Sequence, residues 1–428
     1  MSSTHSEQGS GAEPSADVAG TGRVRRRHVF YLPGYDPVHP RRYRELYRRE
    51  SAIQGAVSGY EIALRARTGQ GPYGWHVTAN FGEATVETEM EVLPWTDIVR
   101  DSMGRSIAST YLQLARTAFS YVGTGALGRL VRLRRGPVLA ALYPVGFLLL
   151  QLALAVLAAV LLGRLFNWAA EGARLPLVDP WIGLLVGLAV IPLVLDWFRR
   201  HDARFYAYYL MHDYAYAARN AGAVPPELAG RITRFRSRIA EVLRAGEVDE
   251  VLVVGHSSGA HLAVQILAEL LREEALPRTR PALALLTLGQ VVPMVSFLPG
   301  AWRLRADLAD LSARPELFWL DVSAPGDGCC FALCDPVAVS GVAPPGQLWP
   351  RVISAAFSRT LSPDRRQELR WRFFRLHFQY LCAFDRPGDY DYFRITAGPR
   401  TLEEAYRDRP PSPGRISTPV NRHRSLVP

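Results

Sequence analysis

Between Gly136 and Gly163 the chain carries no charged residue, and most of the side chains are those of Leu, Ala and Val. Crossing the hydrocarbon core of a bilayer takes about 20 such residues in a helix, so this run exceeds what a span requires. A second apolar run, 180–195, is shorter than that and lies between Asp179 and Asp196. Trp168 and Trp181 fall near one end of the pair and Trp197 near the other, where membrane helices carry their aromatic belts. The pattern predicts a transmembrane helical hairpin over 136–198, the second run spanning, re-entering or lying in the interface. The alternative is two buried helices of a soluble core. Seven arginines flank the pair (Arg129, Arg132, Arg134, Arg135, Arg199, Arg200 and Arg204), whereas the connection holds two, Arg164 and Arg174. That bias predicts both flanks on the cytoplasmic side, at the inner face of a cell membrane, so the segments before and after the hairpin can build one domain.

The remaining composition suits such a domain. The chain has 428 residues, 48% of them apolar, and a net charge of +10. Every basic residue is Arg, and no nucleic-acid-binding motif accompanies the charge, so nucleic acid is not an expected partner. Cys329, Cys330, Cys334 and Cys382 match neither zinc-ligand spacing nor a secreted disulfide framework. Reduced thiols are expected, with no metal or organic cofactor. Residues 1–22 are polar and lack the apolar core of a signal peptide, and they read as a disordered tail. The Pro- and Arg-rich stretch 408–428 reads likewise. No internal repeat is visible.

In chain order, His28–Leu32 predicts a strand broken by Pro33-Gly34-Tyr35-Asp36-Pro37. Residues 41–67 read as helix, and 75–80 with 84–93 as a pair of strands. Helices are expected over 97–121, 201–221, 225–245, 304–311 and 363–384. Further strands are expected over 282–288 and 317–323, with Asp321 inside the second.

Glu250–Val254 is a short apolar run of the kind that forms a buried parallel strand. Gly255-His256-Ser257-Ser258-Gly259 follows at once, and then a stretch of helical period from Ala260 to Leu267. Strand, G-x-S-x-G and helix together are the context of a nucleophile elbow, in which Gly255 and Gly259 let backbones pass closely while Ser257 is exposed on a sharp turn. Here the chain resembles the α/β-hydrolase superfamily, over about 28–35 and 225–380. The resemblance implies a mostly parallel sheet with helices on both faces, interrupted by the hairpin. It further implies an oxyanion site made by the backbone amides of Ser258 and of the Gly34/Tyr35 turn.

In that superfamily the order along the chain is serine, acid, histidine. Applied here, that order leaves His377 and His423 as bases, and His423 falls in the expected tail. Asp327, in a Pro/Gly turn after the 317–323 strand, is the first choice of acid, with Asp335 as the alternative. His256 and His261 precede the acids and are expected to pack beside the elbow or to line a substrate pocket there. The expected organisation is thus an α/β domain in two parts, 23–135 and 199–407, around the 136–198 insertion. The implied activity is that of a membrane-anchored serine esterase or lipase-like hydrolase acting on an ester or thioester, an acyl lipid among them. A catalytically silent interaction module, or an acyltransferase using the same residues, are the alternatives.

Overall fold

Strand β1 (Arg26–Leu32) runs through the middle of one eight-stranded sheet. The other strands are β2 (Glu61–Ala66), β3 (Gly74–Phe81), β4 (Ala84–Val92), β5 (Glu250–His256), β6 (Ala282–Leu288), β7 (Phe318–Ser323) and β8 (Arg351–Ser354). This is a computed structural model, and it describes residues 24–67, 71–104, 106–172, 180–273 and 281–428. The expected tail over 1–22 lies outside them. The strand order is β2-β3-β4-β1-β5-β6-β7-β8. Only β3 runs against its neighbours; every other pairing is parallel. From β1 the chain first builds outward to one side, then returns to add β5 and its successors on the other. The β1/β5 border is therefore a topological switch point, the place beside which open α/β sheets hold their ligands.

The two faces of the sheet follow from the period of two along each strand. Val251 and Val253 of β5 point into one core, with Ile232, Ile239, Leu262 and Trp319. Leu252 and Val254 point into the other, with Trp75, Leu286, Leu320 and Phe393. Helices Pro226–Ala245, Gly259–Glu273 and Trp302–Ser312 contribute to the first core, and segments 41–58 and 392–397 to the second. At the far end of β1, the fully buried Arg27 pairs with Glu250 of β5 at 2.5 Å and donates to the carbonyls of Gly398 and Arg400. With all those partners satisfied, the buried charges fasten the sheet to the 398–402 segment rather than straining it.

Several expected helices are broken, each for a local reason. The 41–67 helix stops at Ser58 because Gly59 takes a left-handed turn (φ 74°), and Glu61–Ala66 continues as an edge strand. The 97–121 stretch is two helices, Thr96–Ser102 and Ile107–Gly123, because Ser106 and Ser109 form a reciprocal cap that starts the second. The 201–221 stretch breaks at Tyr206 (φ 57°), where the Asp202 carboxylate accepts from the amides of Tyr208 and Tyr209 and begins helix Ala207–Ala218. Residues 363–384 form three short pieces. The short strand β8 is not foreshadowed by any pattern in the sequence.

The expected tail over 408–428 is instead an ordered strap. Ile416 bridges Cys334, its amide donating to Leu333 and its carbonyl accepting from Asp335. The buried Asn421 side chain donates to the Ser296 carbonyl, and Arg305 holds that of Ser425. Polar composition hides this, because the strap is held by backbone pairing rather than by apolar periodicity.

The hairpin residues form two long helices, Arg135–Gly172 and Pro180–Arg200. At about 1.5 Å per residue the first is roughly 57 Å long. Both are long and apolar enough to cross a membrane, yet only 22% and 17% of their most apolar stretches are buried within the molecule. They pack through small residues. A Cβ on Gly163 would lie 2.5 Å from the Gly183 carbonyl oxygen, and one on Gly187 equally close to that of Ala159. Such small-residue contacts let the two helix backbones meet closely. Gly163→Leu should therefore force the helices apart, at a cost of about 1–3 kcal/mol. Gly146→Leu, where a Cβ meets nothing within 4 Å, should be neutral. Thermal melts of the detergent-solubilised variants decide this, and equal melting temperatures would refute the close packing.

Candidate active site

Ser257 sits at the carboxyl end of β5, at the switch point, with φ of 57°. For a non-glycine residue that is a strained conformation, held only where the surroundings over-determine it. The surroundings are visible. The Ser257 amide donates to the Leu288 carbonyl of β6, and its carbonyl accepts from Ala260. A Cβ on Gly255 would come within 2.7 Å of Ala260 Cα, and one on Gly259 would overlap the Leu32 carbonyl oxygen. Both glycines of the motif are thus required by backbone contact, as the sequence implied. Helix Gly259–Glu273 starts directly behind the serine.

The loop after β1 is pressed against this turn: a Cβ on Gly34 would meet Ser257 Cβ at 3.1 Å and Oγ at 3.5 Å. Its position is fixed from several sides. Trp95 Nε1 donates to the Pro33 carbonyl (3.0 Å), and the Tyr209 hydroxyl donates to that of Tyr35. The Asp36 carboxylate accepts from the Val38 amide and the Tyr43 hydroxyl, and pairs with Arg42 at 2.8 Å. Among the described residues, the amides of Gly34, Tyr35 and Ser258 donate to no acceptor.

His377 closes the far side, at the end of a short helix, Phe373–His377. Its Nδ1 is 2.7 Å from Asp327 Oδ2, with both side chains buried. Asp327 also accepts from the Tyr380 hydroxyl (3.0 Å) and the Cys329 amide (2.9 Å). Burial favours the protonated acid, but the charge and hydrogen bond of His377 outweigh it and hold the carboxyl below its ordinary range. Ser257 and His377 line the same cavity without a direct hydrogen bond between them. Asp335 is elsewhere: it caps the turn Pro336–Val339 and accepts from Gln347. The histidine thus lies with Asp327 and not with Asp335, while His423 is in the C-terminal strap.

Two supports escape sequence reading. His256 Nε2 donates to the His377 carbonyl (3.0 Å), and burial pushes its pKa down to about 3, so it stays neutral. Tyr380, just past the histidine, fixes the acid. Neither follows from a motif, because each depends on the meeting of segments far apart in the chain. His261 lines the cavity one turn into the elbow helix, as expected.

Among the described residues, two groups bring three possible metal-ligand atoms together. In Asp327–Cys329–His377 the carboxylate and imidazole are engaged with each other. In His28–Glu89–Glu91 the carboxylates pair with Arg67 and Arg238. No protein family, characterised protein or solved structure matches this chain.

Asp321 lies inside β7, as expected, with Oδ1 accepting from Thr287 and Oδ2 buried without a partner. Burial raises its pKa to about 7, above the roughly 3.9 of an unfolded chain. Its ionisation therefore costs stability progressively as pH rises from about 4 through about 7, and the cost persists above. Asp321→Asn should raise the melting temperature more at pH 8 than at pH 5. An equal gain at both would contradict a buried, reluctantly ionised carboxyl.

Proposed function

We propose that this chain is a serine hydrolase of the α/β-hydrolase kind, anchored in a membrane by its two long helices and acting on an ester or thioester. The observation that carries the reading is the meeting of three features at one switch point: a strained serine, a carboxylate-bound histidine, and unpaired amides beside the serine.

In the proposed reaction, Ser257 Oγ attacks the acyl carbonyl while His377 Nε2 takes its proton. Asp327 holds Nδ1–H and favours the imidazolium that forms. The oxyanion is stabilised by the amides of Ser258 and the Gly34/Tyr35 turn. Collapse expels the alcohol or thiol, which leaves with the proton from His377. Water, deprotonated by the same histidine, then releases the acid and restores the serine. Each step uses the chain's own groups.

The anchoring rests on surface energetics. Twenty large apolar side chains between Leu139 and Trp197 are exposed on the two helices. At about 1 kcal/mol for each half-buried chain, leaving them in water forgoes on the order of 20 kcal/mol, more than the net stability of most domains. A bilayer removes that cost. Pro137, in the first turn of the hairpin, lines the same cavity as Ser257, so the serine opens close to where the helices leave the body. A membrane-dissolved acyl ester is the substrate class this favours.

A fluorophosphonate probe should label the full-length protein covalently, because it needs an activated serine and an oxyanion site together. Ser257→Ala should abolish labelling, and His377→Ala should slow it by several orders of magnitude. Asp327→Asn should slow it strongly and Asp335→Asn little. A folded wild type that never labels would favour a silent interaction module instead.

Reporter fusions before residue 136, within 165–179 and after 200 should read cytoplasmic, external and cytoplasmic. First and last reporters on opposite sides would be incompatible with one domain built from both flanks.

A further inference from the structure

One charged group in the cavity has no part in the reaction proposed above. Asp213, on helix Ala207–Ala218, lines the cavity shared by Ser257 and His377. Among the described residues its carboxylate has neither a hydrogen bond nor a salt-bridge partner. The neighbouring charges are paired: Asp36 with Arg42 at 2.8 Å, and Asp327 with His377 at 2.7 Å. Burial pushes the pKa of His256 to about 3 and that of His261 to about 4, so both are neutral near pH 7. An ionised Asp213 therefore leaves an uncompensated negative charge in this wall, in a chain whose net charge is +10.

A half-buried carboxylate with no partner is costly. Burial accordingly raises its pKa to about 7, with the charge of His377 pulling in the other direction. Aromatic residues share its cavity. Tyr209 and Tyr214 stand on the same helix, and Phe374, from the segment that carries His377, meets Tyr209 edge-on with ring centroids 6.2 Å apart. A carboxylate that shares a cavity with aromatic rings can attract an organic ammonium group through both its charge and the ring quadrupoles.

We propose that the cavity accepts an ester carrying an ammonium group, with Asp213 and the rings of Tyr209, Tyr214 and Phe374 holding the cation. This rests on the hydrolase reading and names its substrate class. Two sources carry that chemistry: a lipid with an amine or choline headgroup, and a small soluble ammonium ester.

The test uses the full chain in detergent and two fluorophosphonates of equal shape, one ending in trimethylammonium and the other in tert-butyl. The cationic probe should react about tenfold faster or more, the factor that roughly 1.4 kcal/mol of differential interaction gives. The ratio of rates should fall towards one in Asp213→Asn and be largely kept in Asp213→Glu, which a merely structural role would not separate. A tetraalkylammonium ion should also raise the melting temperature of the wild type and not that of Asp213→Asn, a readout that needs no catalysis. Slower labelling by the neutral probe in phosphatidylcholine vesicles than in phosphatidylglycerol vesicles would assign the lipid source. Slowing by a soluble choline ester alone would assign the small one. Neutral-probe labelling without a cation preference in the wild type, or a preference that survives Asp213→Asn, overturns this inference and leaves the hydrolase reading standing. Failure of both probes to label overturns the hydrolase reading, and this substrate class falls with it.

Discussion

Two backbones approach so closely at the middle of the sheet that side chains are excluded between them. The Leu32 carbonyl oxygen occupies space that a Cβ on residue 259 would need, and Ala260 does the same for residue 255. Strands β1 and β5 are hydrogen-bonded neighbours, in a register that sets Leu32 beside Gly255. The loops leaving them are therefore forced together just past the edge of the sheet. From this follow the positive φ of Ser257, the position of Gly34 against its side chain, and the start of the elbow helix behind it. The strain at Ser257 is local, but it is held by strands with fully buried cores on both faces.

What is legible in the sequence is whatever a local pattern encodes. The elbow is readable because two glycines and a strand–helix change of period fall within one short stretch, 250–267. The hairpin is readable because uninterrupted apolar length has few alternatives. The choice of Asp327 comes from its turn after a strand, and its contact with His377 fits that reasoning. The breaks at Gly59, Ser106 and Tyr206 are hidden because single caps override periodicity that continues across them. The strap over 408–428 is hidden for the opposite reason: its order comes from backbone bonds to 331–339, and its side chains carry no periodic signal. The contacts that His256 and Tyr380 make with His377 and Asp327 are beyond sequence reading. Their roles exist only once residues 256, 327 and 377–380 are brought together.

The hairpin and the site are linked more tightly than an insertion requires. Val138 belongs to a core patch with Phe297 and Phe331, and Leu148 packs with Tyr208 and Met211. Helix Ala207–Ala218 joins the two regions. It packs on the first hairpin helix on one side, and on the other it carries Tyr209, whose hydroxyl holds the Tyr35 carbonyl. The same helix presents Asp213 to the cavity. Whatever fixes the hairpin relative to the body thus also fixes the loop beside Ser257.

That coupling bears on how the insertion can be tolerated between β4 and β5. A long segment placed there costs little chain entropy, since loop closure grows only with the logarithm of length. The larger demand is steric, because the insertion must return the chain to the β1/β5 border without displacing the loop after β1. The break at Tyr206 meets it. By turning the chain between Asp202–Phe205 and Ala207–Ala218, it lets the second hairpin helix end at Arg200 while the next helix lines the cavity that holds Ser257. The helix that starts at this interruption carries Tyr209 and Asp213 into the lining of the cavity beside Ser257.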